Sequence, residues 1–215
     1  MVSALKTVWK SWLALCLAGW LALPANAQSL LVVGDSISAA FGLELEQGWV
    51  SLLQERLQQH GYPYEVINAS VSGDTTAGGL ARLPSLLERY QPALVMIELG
   101  GNDGLRGLPP ANMQQNLSSM VRSVQSSGAD ALLLGIRIPP NYGVRYTRAF
   151  EQVFVDVSQA HEVPLVPFVL EGVAGEDNLM QADGIHPTAA AQPIILDNTW
   201  PAIEQWLQSR SEDIE

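Results

Sequence analysis

The stretch Leu30-Leu31-Val32-Val33-Gly34-Asp35-Ser36-Ile37-Ser38 decides the reading of this chain. Four apolar residues in a row run into a glycine, the pattern of a short strand buried on both faces. Ser36 stands two residues beyond that glycine, where the chain is expected to turn toward a helix. A nucleophile there is exposed at the top of a sheet and near a helix N-terminus, whose amides favour developing negative charge. A plain turn with a Ser or Asp helix cap has the same local sequence. The remaining chain has to arbitrate.

Outward from this strand the pattern repeats. Trp49, Leu52, Leu53, Arg56 and Leu57 fall at helical spacing and Gly61 closes them. Tyr64-Glu65-Val66-Ile67 reads as a second strand, and Leu80, Leu83, Leu86 and Leu87 as the stripe of a second helix. Ala93-Leu94-Val95-Met96-Ile97 gives a third strand. A polar helix over about 111–126 carries Leu117, Met120, Val121 and Val124 on one face. Ala131-Leu132-Leu133-Leu134-Gly135-Ile136 is a fourth strand, 146–160 a helix with Phe150, Val153, Phe154 and Val157 inward, and Pro164-Leu165-Val166-Pro167 a short fifth strand. A closing helix over 189–207 is expected to be interrupted by Pro193 and Pro201. Apolar strands alternating with helices indicate parallel βαβ units. The fold predicted is a three-layer α/β/α sandwich on a five-stranded parallel sheet. Its ligands belong beyond the carboxyl ends of the strands.

Composition narrows the function. The chain has 215 residues, 47% hydrophobic and 15% charged, which suits a folded domain and excludes a largely disordered one. A formal charge of -11 argues against nucleic acid as partner and against a polybasic hold on anionic lipid. The only lysines, Lys6 and Lys10, precede an uncharged apolar run over 12–23, then Pro24 and Ala25-Asn26-Ala27. A basic start, a short apolar run and an A-x-A site describe a secretory signal peptide over 1–27. The run is too short to span a bilayer as a helix, so a retained anchor is the lesser reading. Leu15 before Cys16 speaks against a lipoprotein. Cleavage after Ala27 leaves a single domain over 28–215 with no cysteine, and with nine arginines against 22 acids. Such a chain is expected to be exported to the periplasm, to rest on core packing without disulfides, and to act as a monomer with no stable membrane anchor.

Each strand end carries something. The second runs into Asn68-Ala69-Ser70-Val71-Ser72-Gly73-Asp74, where Gly73 has no side chain to shield its N–H. The third runs into Glu98-Leu99-Gly100-Gly101-Asn102-Asp103-Gly104, whose glycines let the backbone approach a site and whose Asn102 amide can donate. Near the end comes Asp183-Gly184-Ile185-His186-Pro187. His60 and His161 sit at helix ends and read as solvent-facing. His186 alone has an acid three residues before it in a loop shaped by Gly and Pro. A carboxylate beside an imidazole holds one ring N–H and leaves the other nitrogen as a base. Ser36, His186, Asp183 and the donors Gly73 and Asn102 together supply nucleophile, base, orienting acid and oxyanion donors.

These blocks resemble the four blocks of the SGNH (GDSL) hydrolases. Residues 68–84 (NASVSGDTTAGGLARLP), 98–107 (ELGGNDGLRG), 137–146 (RIPPNYGVRY) and 180–187 (MQADGIHP) are similar to the exported bacterial acyl-CoA thioesterase I, lysophospholipase and arylesterase group. The resemblance covers about 29–207. It implies a flavodoxin-like sandwich and a triad of Ser36, Asp183 and His186. It further implies an oxyanion hole from the Ser36 and Gly73 amides with the Asn102 side chain, and an acyl pocket lined by Arg137, Ile138 and Pro139. Residues 75–80 match a loop that moves on substrate binding in similar enzymes. Ile37 and Ile138 stand where the family commonly has Leu, which bears on acyl-length preference rather than on the reaction. The expected activity is hydrolysis of acyl esters and thioesters, with a small-molecule acyl substrate and neither cofactor nor metal.

Other classes fit less well. No G-x-S-x-G elbow of an α/β-hydrolase occurs. Without a lysine beyond residue 10 no P-loop can form. Three separated histidines give no metal cluster. A catalytically silent acyl- or lipid-binding module on the same fold has no use for His186. A carbohydrate O-deacetylase remains a neighbouring enzyme reading.

Overall fold

The computed structural model describes residues 28–212. The expected signal peptide over 1–27 lies outside them. Five strands, β1 (Gln28–Gly34), β2 (Tyr64–Asn68), β3 (Leu94–Glu98), β4 (Asp130–Leu134) and β5 (Leu165–Val166), form one sheet in the order β2-β1-β3-β4-β5. Every pairing is parallel. The central strands are apolar throughout because both faces are covered: Leu30 to Val33 and Val95 to Ile97 are fully buried. Edge strand β2 is only half-buried, and its sequence is correspondingly mixed.

Helices α1 (Trp49–Gln59) and α6 (Gln192–Glu212) pack together on one face. On the other, α2 (Thr76–Tyr90), α4 (Pro110–Ser126) and α5 (Val144–His161) lie side by side. A five-residue helix, α3 (Gly101–Leu105), follows β3. The three layers and the flavodoxin-like strand order are those predicted. From β1 the chain crosses to β2 on one side and returns to β3 on the other. That reversal opens a crevice at the carboxyl ends of β1 and β3.

Three local expectations need correction. No helix begins at Ser36. Residues 36–42 form successive turns in which Asp35 O accepts the Ala39 N–H at 2.9 Å and Ser36 O accepts the Phe41 N–H at 3.0 Å. Ala40 then adopts a left-handed φ of 56°, which ends the incipient spiral before it becomes a helix. Residues 75–80 are no loop: Thr75 is the N-cap of α2, accepting from the Gly78 N–H, and Thr76 is fully buried in its first turn. Nor do the prolines interrupt α6. Pro193 sits in its first turn, where an N–H has no intrahelical partner to lose. Pro201 does forfeit a bond, but Ile195, Leu196, Ile203 and Leu207 on both sides of it are buried and carry the helix through.

Candidate active site

The Ser36 turn is set by the residue before it. Asp35 Oδ1 accepts the Ile37 N–H at 3.1 Å, an Asx turn that bends the chain off β1. Ser36 Oγ then meets His186 Nε2 at 2.9 Å, across 150 residues of sequence. Phe41, at the end of the same turn, lays its ring against the imidazole with centroids 4.3 Å apart.

His186 comes from a small hairpin-like loop. Gln181 N–H donates to His186 O at 2.7 Å, Thr188 N–H to Leu179 O at 2.8 Å, and Met180 and Pro187 form an antiparallel bridge. Gly184 makes the reversal with φ 68°. Inside this loop Asp183 Oδ2 holds His186 Nδ1 at 2.7 Å, while Asp183 Oδ1 accepts the N–H groups of Ile185 (2.9 Å) and His186 (3.0 Å). The hydrogen bond to the imidazole, helped by those two amides, draws the Asp183 carboxyl down to about 2. Asp183 is therefore ionised at neutral pH, and its 40% exposed side chain keeps the water that favours the charge.

Asn102 lies in the first turn of α3, and its Nδ2 donates to Asp35 Oδ2 at 3.1 Å. Gly73 has φ 80°, and its carbonyl accepts from Arg106 at 2.9 Å, which ties its loop to the end of α3. The N–H groups of Ser36 and Gly73 have no hydrogen-bond partner among the described residues. Asp103 braces the same two segments, accepting from the N–H and hydroxyl of Thr76 at 2.8 and 2.6 Å. Arg82 adds a third brace, to Asp74 at 2.8 Å and to the carbonyls of Gly34 and Ala69.

A cavity of about 540 Å³ opens beside Ser36. Ser36, Asn102 and His186 form its polar end, and Ile136, Ile138, Phe168, Leu170 and Met180 line its apolar reach. Arg137, Ile138 and Pro139 all lie on its wall. Ile138 is buried, whereas Arg137 is exposed and stacks over Phe168 at 4.6 Å with Glu171 3.4 Å away. Gly73 is not among the lining residues.

The structure thus gathers Ser36, Asn102, Asp183 and His186 at one edge, with Gly73 on an adjoining loop. Sequence reasoning passed over the supports: Phe41 on the imidazole, Arg82 and Asp103 between the loops, and Asp35 and Glu98 beneath the serine. Asp35 and Glu98 each sit at a strand tip, the position where the sequence reading looked for chemistry, but nothing in a sequence says that the two meet.

A serine, an imidazole and a carboxylate joined by hydrogen bonds at the carboxyl edge of a parallel α/β/α sheet define a serine hydrolase. The GDSL-like Lipase/Acylhydrolase family model matches residues 32–193, and the chain belongs to that family. It is 60% identical to the esterase TesA of Pseudomonas aeruginosa over 199 residues, 90% of this chain and 99% of that one. It is 45% identical to the thioesterase 1/protease 1/lysophospholipase L1 of Escherichia coli over 173 residues, 80% of this chain and 82% of the other. Among solved structures, the psychrotrophic esterase EstA from Pseudoalteromonas, inhibited by monoethylphosphonate, superposes with a TM-score of 0.81 at 45% identity, covering 84% of this chain and 99% of that one.

Proposed function

We propose that the protein hydrolyses acyl esters and thioesters through an acyl-enzyme on Ser36. The observation that carries this reading is the unbroken line from Ser36 Oγ through the His186 ring to Asp183, at 2.9 and 2.7 Å. His186 Nε2 takes the Ser36 proton as Oγ attacks the carbonyl carbon. Asp183, ionised, keeps the Nδ1–H tautomer and stabilises the imidazolium that forms. The oxyanion is received by the Ser36 and Gly73 N–H groups and by Asn102 Nδ2. Each such donor is typically worth about 10²–10³ in rate. The imidazolium then protonates the leaving alcohol or thiol, and a water activated by the same nitrogen releases the acid.

The apolar reach of the cavity, with Ile138 and Pro139 on its wall, suits an acyl chain, and Arg137 stands beside it. The relatives at 60% and 45% identity are named as an esterase and a thioesterase. The reading extends to location: cleavage after Ala27 sends a monomer to the periplasm, where acyl-CoA is a poor natural substrate. Among the described residues no helix is long and apolar enough to cross a membrane.

Intact-mass labelling with a fluorophosphonate tests the chemistry. One adduct is expected on the exported protein, whose mass should begin at Gln28, and none on Ser36→Ala. A folded wild type that takes no adduct would move the non-catalytic acyl-binding reading ahead. A series of p-nitrophenyl esters and acyl thioesters of increasing length then locates the preferred chain.

A further inference from the structure

Directly beneath Ser36 lie two acids that the proposed reaction does not use. Asp35 is 2% exposed and Glu98 0%. Their strands are in register, with Gly34 opposite Glu98. Glu98 Oε2 accepts the Ser38 hydroxyl at 2.7 Å and the Asp35 N–H at 3.3 Å, while its Oε1 has no partner among the described residues. The Asp35 carboxylate is shared between the Ile37 N–H on Oδ1 and Asn102 Nδ2 on Oδ2. Two glycines make room for this. A Cβ on Gly34 would fall 2.7 Å from Ser38 Cβ and 2.9 Å from Glu98 Oε2, and one on Gly101 would fall 3.1 Å from Asp35 Oδ2.

We infer that Asp35 is a positioning residue for the Asn102 amide, and that Glu98 serves it as a neutral partner so that the pair's single charge sits on Asp35. The inference rests on the oxyanion role given to Asn102 above. An amide has nearly the same shape either way round, so packing alone fixes its direction poorly. A carboxylate only accepts hydrogen bonds. Facing Asp35, Asn102 must present its NH₂. One N–H is spent on Asp35 and the second is left for the substrate oxygen. A flipped amide would present its own oxygen to the oxyanion and repel it.

The charge division follows from burial. Fully enclosed and next to Asp35, Glu98 is pushed well above the ordinary carboxylate range, and ionising it would leave a bare oxygen in the core. Asp35, also raised by burial but drawn back by the Ile37 and Asn102 donors, reaches only about 6. The other titratable groups near it are His186, which favours its ionised form whenever the imidazole is protonated, and Asp74, which opposes it and is paired to Arg82. At neutral pH Asp35 is the ionised member.

The test is a double-mutant cycle on an aryl ester at neutral pH, reading kcat and KM. An asparagine at 35 has one acceptor oxygen for two donors, so one contact is lost. Asp35→Asn is expected to lower kcat about 10- to 100-fold with KM within about twofold, less than loss of the donor itself. In the Asn102→Ala background the same change should cost under about twofold, because the residue it acts through is gone. Gly101→Ala, which crowds the same hydrogen bond without altering either partner, should behave alike, and it decides the matter should Asp35→Asn fail to fold. Losses that multiply with Asn102→Ala, or a change in KM alone, overturn the inference while the esterase reading stands. A wild type that cleaves no ester overturns both.

Discussion

The molecule puts acids to two opposite uses within one site. In the loop over 179–188, Asp183 is half in water, takes three hydrogen-bond donors, and is held at about 2. Beneath Ser36, Asp35 and Glu98 are sealed from water, and burial drives both carboxyls upward. What separates them is the balance of donors against lost hydration, not residue type. The loop can supply Asp183's donors from its own backbone because the residues are adjacent. The buried layer must draw its donors from the turn after β1 and from α3, and it leaves Glu98 Oε1 with none among the described residues. An acid meant to stay charged beside an imidazolium is placed at the surface. Acids meant to fix geometry are placed inside, where one of them stays neutral.

The sharpest break of this contrast is removal of the nucleophile that both regions serve. Ser36→Ala should lower kcat by about 10⁶, a loss typical of a triad nucleophile, and abolish phosphonate labelling. Asp183→Asn should cost less, about 10³–10⁴, because the imidazole keeps its backbone position and its contact with Phe41. Equal kcat losses from the two would mean that Asp183 does more than orient and stabilise. Phe41→Ala removes a ring contact of 4.3 Å and nothing else that touches the reacting atoms. About a 2- to 10-fold fall in kcat is expected, from the ordinary worth of such a pair. An unchanged kcat would show that the hairpin alone holds His186.

The last contrast is in stability, not rate, and has opposite signs in the two regions. Asp183 is lowered from 3.8 to about 2, so its contribution is present above 3.8 and is lost as pH falls toward 2. Asp35 is raised from 3.8 to about 6, so between those values the folded state keeps a proton that the unfolded chain has released. Stability contributed there falls as pH rises, by up to roughly 3 kcal/mol at about 1.4 kcal/mol per pH unit. Thermal unfolding midpoints across pH 2 to 8 should show Asp35→Asn flattening the slope above about 4, and Asp183→Asn flattening the slope below it. The two variants flattening the same limb would contradict the contrast.

Much of this was legible in the sequence. Each central strand is a short run of apolar residues ending at Gly or an acid, so the strand tips and the residues beyond them could be numbered directly. Asp183 and His186 are three residues apart around a glycine, and such a turn can be read without a fold. The helix expected at Ser36 was misplaced because the left-handed turn at Ala40 has no marker: alanine ordinarily avoids that conformation. The loop over 75–80 came from the family resemblance, not from the local sequence, and the buried contact between Thr76 and Asp103, 27 residues apart, instead fixes the first turn of α2. The prolines of the last helix were overweighted because local propensity cannot see the apolar face that overrides them.

By itself, then, the sequence determined the parallel sheet, the order of the chemical blocks along it, and the local Asp183–His186 turn, since all three depend on periodicity or on neighbours a few residues apart. Only the tertiary structure decided that Ser36 reaches His186 across 150 residues, that Asp35 rather than solvent receives the Asn102 amide, and that burial beside Asp35 pushes the Glu98 carboxyl upward. The physical reason is the same for each. A hydrogen bond between distant segments and the exclusion of water around a carboxyl exist only once the layers have closed, and a side chain's charge is settled by what surrounds it.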